Sequence, residues 1–238
     1  MKNNFKIFTI IIFLIFTGCI SFLSGGIKNS GQIISRNYNK KNFKKINVSN
    51  TIKINLQQKD YFDIKVKIDR AYIDYFNIDI KGDTLYLYLD RNINYNNPDI
   101  VADITMPEIE KITASGVSKI TMKKIMQRRI DIKLSGASEL EAEVETDVLT
   151  IEESGASKSQ ITGKTEELYV DLSGVSKSYL NRLNSKRVYI QISGVSELKV
   201  FVKEAIEGKV SGASEVNIAG NPQKQILEKS GVSDITVK

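Results

Sequence analysis

The 238-residue sequence contains no histidine and no tryptophan, a single cysteine and three prolines. Without His there is no Ser-His-Asp or Cys-His dyad, no imidazole base and no His-containing zinc site. One Cys permits no intramolecular disulfide. Phosphate loops, zinc-ligand spacings and nucleophile elbows are missing too, so neither metal nor cofactor is expected. Basic charge exceeds acidic charge by 6 over the whole chain, yet residues 112–238 hold 18 Lys and Arg against 17 Asp and Glu. The surplus is diffuse, lies in the first half and accompanies no DNA- or RNA-reading motif, which argues against a nucleic-acid partner. At 41% apolar and 26% charged residues, the chain can fold around a sizeable core.

The N-terminus has the form of an export signal. Lys2 and Lys6 precede an unbroken apolar run, Ile7 to Phe16, followed by Thr17-Gly18-Cys19. Such a run is too short for a transmembrane helix, which needs about 20 residues, but suits a secretory leader. Leu14 to Cys19 resembles a bacterial lipobox, in which the Cys receives diacylglycerol and becomes the mature N-terminus. Phe16 departs from the aliphatic residue usual in that pattern, and a plain signal peptide that happens to contain Cys19 is the alternative. The expected organisation is a leader over 1–18, a flexible Gly- and Ser-containing tether over 19–41, and a folded part over 42–238.

The second half carries an internal repeat. Ser-Gly-Ala/Val-Ser occurs at Ser115-Gly116, Ser135-Gly136, Ser154-Gly155, Ser173-Gly174, Ser193-Gly194, Ser211-Gly212 and Ser230-Gly231, at intervals of 18 to 20 residues. Around each motif apolar residues alternate, as in Ile130, Ile132 and Leu134 before it and Leu140, Ala142 and Val144 after it. Period two means strands. A unit this short suits one coil of a parallel β-helix, with the motif as a corner stacked on identical corners about 4.8 Å apart. An antiparallel meander or propeller would need Asn-Gly or Asp-Gly hairpins, and none occurs. Counting by twos places Gly136 and Ser138 inward and Ser135 and Ala137 outward, unless the bend switches parity.

Upstream, Ile52, Ile54 and Leu56, then Ile64, Val66 and Ile68, and later Leu85, Leu87 and Leu89 alternate without the motif. Residues 42–111 therefore read as irregular first coils and a cap, with a separate small β-sandwich as the other possibility. Little chain follows the seventh motif, so the last coil is capped by the charges of Lys229, Asp234 and Lys238 or is a place for self-association.

The lipobox-like leader, the segment Asn42 to Ile54 and the stacked Ser-Gly-Ala/Val-Ser corners together resemble the putative auto-transporter adhesin head GIN domain family of bacterial exported proteins. The resemblance spans residues 42–238. It implies a single-stranded right-handed parallel β-helix and an adhesin-like role. After the second Ser this chain carries Lys119, Glu139, Lys158, Lys177, Glu197, Glu215 and Asp234, where the family often has Asp. That mixture reads as a solvated face with a few weak cross-coil pairs.

Catalysis would need two convergent carboxylates, and an active site would be expected to interrupt the repeat with a cleft-forming insertion. No interval exceeds 20 residues. Glu139, Glu141, Glu143 and Glu145 line one face as a solvated row. Tyr169 and Tyr189 sit at equivalent places on consecutive coils beside Arg187, either as rings offered to a sugar or as an aromatic ladder. The expectation is a non-catalytic lipoprotein of the bacterial envelope, held at an outer-membrane, surface or periplasmic location, binding an unknown protein or glycan. The competing classes are a polysaccharide-active enzyme and a purely structural component.

Overall fold

The structure, a computed structural model, describes residues 26–238. The leader and Cys19 lie outside the described residues. The first strands are β1 (Ile33–Asn37), β2 (Lys45–Val48), β3 (Ile52–Gln58), β4 (Asp63–Asp69), β5 (Phe76–Lys81), β6 (Thr84–Leu89) and β7 (Ile100–Met106), with one 3-10 helix at Arg70–Tyr75. The coils contribute β8 (Lys111–Ala114), β9 (Lys119–Leu134), β10 (Glu139–Glu153), β11 (Lys158–Leu172), β12 (Lys177–Ile192), β13 (Glu197–Val210), β14 (Glu215–Ala219), β15 (Lys224–Lys229) and β16 (Asp234–Val237).

These strands wind into one β-solenoid of about seven turns. From β8 onward every pairing is parallel: β9 lies on β8 and β3, and β10, β11, β12 and β13 follow in order. Among the described residues antiparallel pairs occur only at the first end, between β1 and β4, β4 and β7, and β5 and β6. They continue the sheet beyond the parallel coils and leave the short β1 as its terminal strand. One core runs through the whole stack. Ile130, Ile132 and Leu134 sit under Leu149 and Ile151, then Leu168, Val170 and Leu172, then Val188, Ile190 and Ile192, each at most 4% exposed. Burial of such side chains contributes about 2 kcal/mol apiece.

Each Ser-Gly-Ala/Val-Ser motif is a corner. Gly136 adopts φ +70°, a conformation that costs little only without a Cβ. The turn skips one inward place and keeps the strand parity. Ser135, Gly136 and Ala137 all lie on the outer side, half-buried or exposed, and Ser138 is fully buried. The inward expectation thus holds for Ser138 and is corrected for Gly136, because the positive φ puts three consecutive residues outside before alternation resumes. The second Ser closes the corner within its own coil: the Oγ of Ser138 donates to the carbonyl of Ser135 at 2.8 Å, and Ser157 and Ser176 do the same to Ser154 and Ser173. The first Ser reaches between coils, with Ser135 Oγ donating to Ala114 O at 3.3 Å.

An eighth corner lies below the seven. Val117 N donates to Asn50 O at 2.7 Å and Ser115 N to Val48 O at 2.9 Å, so Ser49-Asn50-Thr51 is the first step of the column, with Asn50 at φ +70°. Asn is the residue other than Gly that enters this region most readily, which is why a search for Ser-Gly passes over it.

The flexible tether expected over 19–41 is corrected in its later part. Ile33–Asn37 forms β1 along β4, and Ile27 and Ile34 pack against the core. The carboxylate of Asp69 accepts the N–H groups of Ser30 at 3.0 Å, Gly31 at 2.8 Å and Ala71 at 2.8 Å. Pairing of β1 with the edge of β4, the bridge from Ile27 to Tyr95 and the partial burial of two isoleucines hold this stretch in place. At the other end Lys229 pairs with Asp234 at 3.9 Å.

Candidate functional site

On the sheet face that leads into the corners, outward residues form columns. Asp131, Thr150, Tyr169, Tyr189, Glu207 and Ile226 stand one above another, and beside them run Lys133, Glu152, Asp171, Gln191, Lys209 and Glu228. Parallel register makes this inevitable, since equivalent places in successive coils superpose. The Tyr169 and Tyr189 rings are stacked, with centroids 4.8 Å apart and planes 14° apart. They face each other along the column, so each has one outer face, Tyr169 toward Thr150 and Tyr189 toward Glu207. Arg187 is not over the rings; it bonds Glu167 at 3.0 Å, and Glu167 also accepts the Tyr169 hydroxyl at 3.2 Å.

A groove of about 560 Å³ follows these columns across five coils, lined by both tyrosines, Glu152, Asp171, Gln191, Gly208, Lys209 and Ile226 among others. Most of its charges are matched. Lys133 pairs with Glu152 at 2.7 Å and Lys209 with Glu228 at 2.8 Å, and Glu207 pairs with Lys224. Asp171 has no such partner among the described residues; partial burial raises its pKa, and the neighbouring Glu152 adds to this against a smaller opposing pull from Lys133.

The opposite sheet face carries the mixed column of charges. Of its opposite-charge steps, Lys119–Glu139 and Lys177–Glu197 are ion pairs at 3.7 Å. They are largely solvated, with Glu197 half-buried, and worth well under about 1 kcal/mol each. Among the described residues no group of three or more His, Cys, Asp or Glu converges as metal ligands, and no helix is long and apolar enough to cross a membrane.

A carboxylate lies inside the stack. Glu153 is 2% exposed and stands in the inward column between Leu134 and Leu172. Ser159 Oγ donates to its Oε1, and Ser159 and Ser178 bond each other at 2.7 Å. Oε2 has no partner. Desolvation raises the pKa to about 7, against a smaller lowering by the two serines. The signal was available: aligning the coils by their corners puts Glu153 where Leu134, Leu172, Ile192 and Val210 stand.

The described residues thus form a β-solenoid of parallel coils with an exposed aromatic pair on one face. The family described as putative auto-transporter adhesin, head GIN domain, matches residues 42–222; the chain belongs to that family. Among solved structures it is similar to a putative adhesin from Bacteroides fragilis, at 22% identity and TM-score 0.86, over 90% of this chain and 100% of that one. A putative adhesin from Parabacteroides merdae, at 16% identity and TM-score 0.71, covers 90% and 99%. A putative lipid binding protein from Parabacteroides distasonis, at 16% identity and TM-score 0.72, covers 89% and 99%. At these identities the likeness concerns the fold. No curated protein matches the chain.

Proposed function

We propose that the chain is an exported, lipid-anchored interaction module of the bacterial cell envelope, adhesin-like and without a catalytic site. The uninterrupted stack carries this reading: coils follow one another from Lys111 to Val237 with no inserted loop, a construction that yields a long ordered surface in place of an enclosed pocket. Glu152 and Asp171 are neighbours in the groove, but both are exposed to solvent. Hydrolysis of a glycosidic bond asks for a dry, asymmetric setting that separates two carboxyl groups into acid and base, so an open groove favours binding over cleavage.

In this reading Cys19 carries the lipid, a short link follows it, and the cap beginning near Ile27 orients the solenoid above the membrane with the two sheet faces free for a protein or glycan. Each buried methylene of an acyl chain contributes about 0.8 kcal/mol, so several chains hold the protein durably. Metabolic labelling with an alkyne fatty acid tests the anchor. The wild type should be labelled and Cys19→Ser should not; equal labelling of both would reduce the leader to an ordinary signal peptide.

A further inference from the structure

We propose that the groove beside the tyrosine pair binds a neutral saccharide. The proposal rests on the interaction-module reading above and names the ligand class for it.

The apolar part of the site is the outer face of each ring. Tyr169 and Tyr189 cover one another's inner faces; on the open side of Tyr169 stands the short Thr150, whose hydroxyl accepts from Arg129 at 3.5 Å while Arg129 also pairs with Asp131, and Tyr169 remains 38% exposed. On the open side of Tyr189 the next residue is Glu207, whose carboxylate is held by Lys224, a residue in register with Ala205 in the column on the far side from the groove. A ring face left open in this way suits the C–H face of a pyranose, which is apolar, ring-shaped and uncharged.

Hydroxyl groups at the rim of such a sugar need partners beside the aromatic ring, and two are available. Asp171 lies two residues on from Tyr169, and Gln191 two residues on from Tyr189, both lining the groove. Neither side chain has a hydrogen-bond or ion-pair partner among the described residues, whereas Lys133, Glu152, Lys209 and Glu228 satisfy one another in pairs. One carboxylate offers acceptors only and one amide offers both roles, a combination that matches hydroxyls.

Charge decides between sugar classes. With its neighbours paired, Asp171 leaves the groove one negative charge in excess, which repels uronic acids and anionic lipid headgroups. The volume of about 560 Å³ falls within the range of small-ligand sites.

The test is calorimetric titration of the full chain with chitotetraose, cellotetraose and maltotetraose, with tetragalacturonate as the anionic comparison. At least one neutral tetrasaccharide should bind saturably and the anionic one should not. Replacing both rings, Tyr169→Ala with Tyr189→Ala, should weaken binding about tenfold or more, while Tyr169→Phe with Tyr189→Phe should keep it within about threefold, since the ring faces survive. Asp171→Ala changes an exposed position outside the core and should weaken binding about fivefold; it decides the matter even if the double Ala variant does not fold. Silence toward all three neutral sugars, a preference for tetragalacturonate, or unchanged affinity in Asp171→Ala would overturn the proposal. None of these results alters the acyl labelling expected of Cys19, so failure of the ligand and failure of the envelope reading are separable.

Discussion

Gly136 sits so close over Gly116 that a Cβ added to it would stand 2.6 Å from the Gly116 carbonyl oxygen, nearer than carbon and oxygen can approach without displacement. The same closeness recurs at Gly155 over Gly136 and Gly174 over Gly155. Gly82 provides the contrast, with a similar φ of +62° but nothing within 4 Å of the added atom. Gly82→Ala should therefore cost about 1 kcal/mol, the conformational part alone. Gly136→Ala adds a clash with rigid backbone and should cost about 3 kcal/mol or more. Urea denaturation of the two variants measures the difference; equal costs would mean that the corners are not in contact.

The two serines of a corner differ in what they hold. Ser138 is fully buried and bonds the Ser135 carbonyl at 2.8 Å, whereas the Ser135 hydroxyl makes a longer, half-exposed bond. Ser138→Ala should lower stability by about 1 kcal/mol through the unpaired carbonyl it leaves, and Ser135→Ala by less than half of that. The comparison is read from the same denaturation curves.

Glu153 makes the fold sensitive to rising pH. Its carboxyl is neutral in the folded chain up to about pH 7 but ionises near 4.3 once unfolded. Its contribution is thus fully present below about pH 4.3 and is lost as pH rises through 7, by an amount on the order of 3 kcal/mol. Glu153→Gln should flatten this decline and make the protein more stable than wild type at pH 8. Thermal melts from pH 4 to 8 follow both chains; a wild type whose stability rises over that interval, tracking the variant, would contradict an uncompensated buried carboxyl.

Asp69 acts in the opposite direction. Burial alone would raise its pKa, but the N–H groups of Ala71, Ser30 and Gly31 and the Ser30 hydroxyl outweigh that and hold it at about 2. Its stabilising effect is present above about pH 4 and is lost as pH falls toward 2. Asp69→Ala should release the segment around Ser30 and Gly31 at neutral pH, seen as faster hydrogen exchange there, with β10 to β12 unaffected.

The repeat made the coils legible because every unit states the same local rule: alternating apolar residues, then a corner that only small residues fit. What escaped notice lay where one unit departs from the rule. Asn50 serves as a corner without being Gly. Glu153 takes a core position held by Leu134, Leu172, Ile192 and Val210 in other coils. Docking of Ile34 depends on the edge of β4 and that of Ile27 on the segment around Tyr95, which no local pattern reveals. The tyrosine column was legible from spacing alone, but the direction of the rings was not. Stacking along the column turns their shared faces away from solvent, and the unpaired Asp171 stands out only once the ion pairs around it are known.

Hydrogen exchange at the corner amides tests the stacked column most directly. Ala137, Ala156, Val175, Val195 and Ala213 lie in turns and are solvent-facing residues, yet each N–H donates to the glycine carbonyl one coil below at 2.7 or 2.8 Å. Stacked corners require these amides to be protected to nearly the same degree as those of β10 to β12, and to lose protection together on Gly174→Ala. Exchange at the rate of open turn amides in the intact protein would contradict the account.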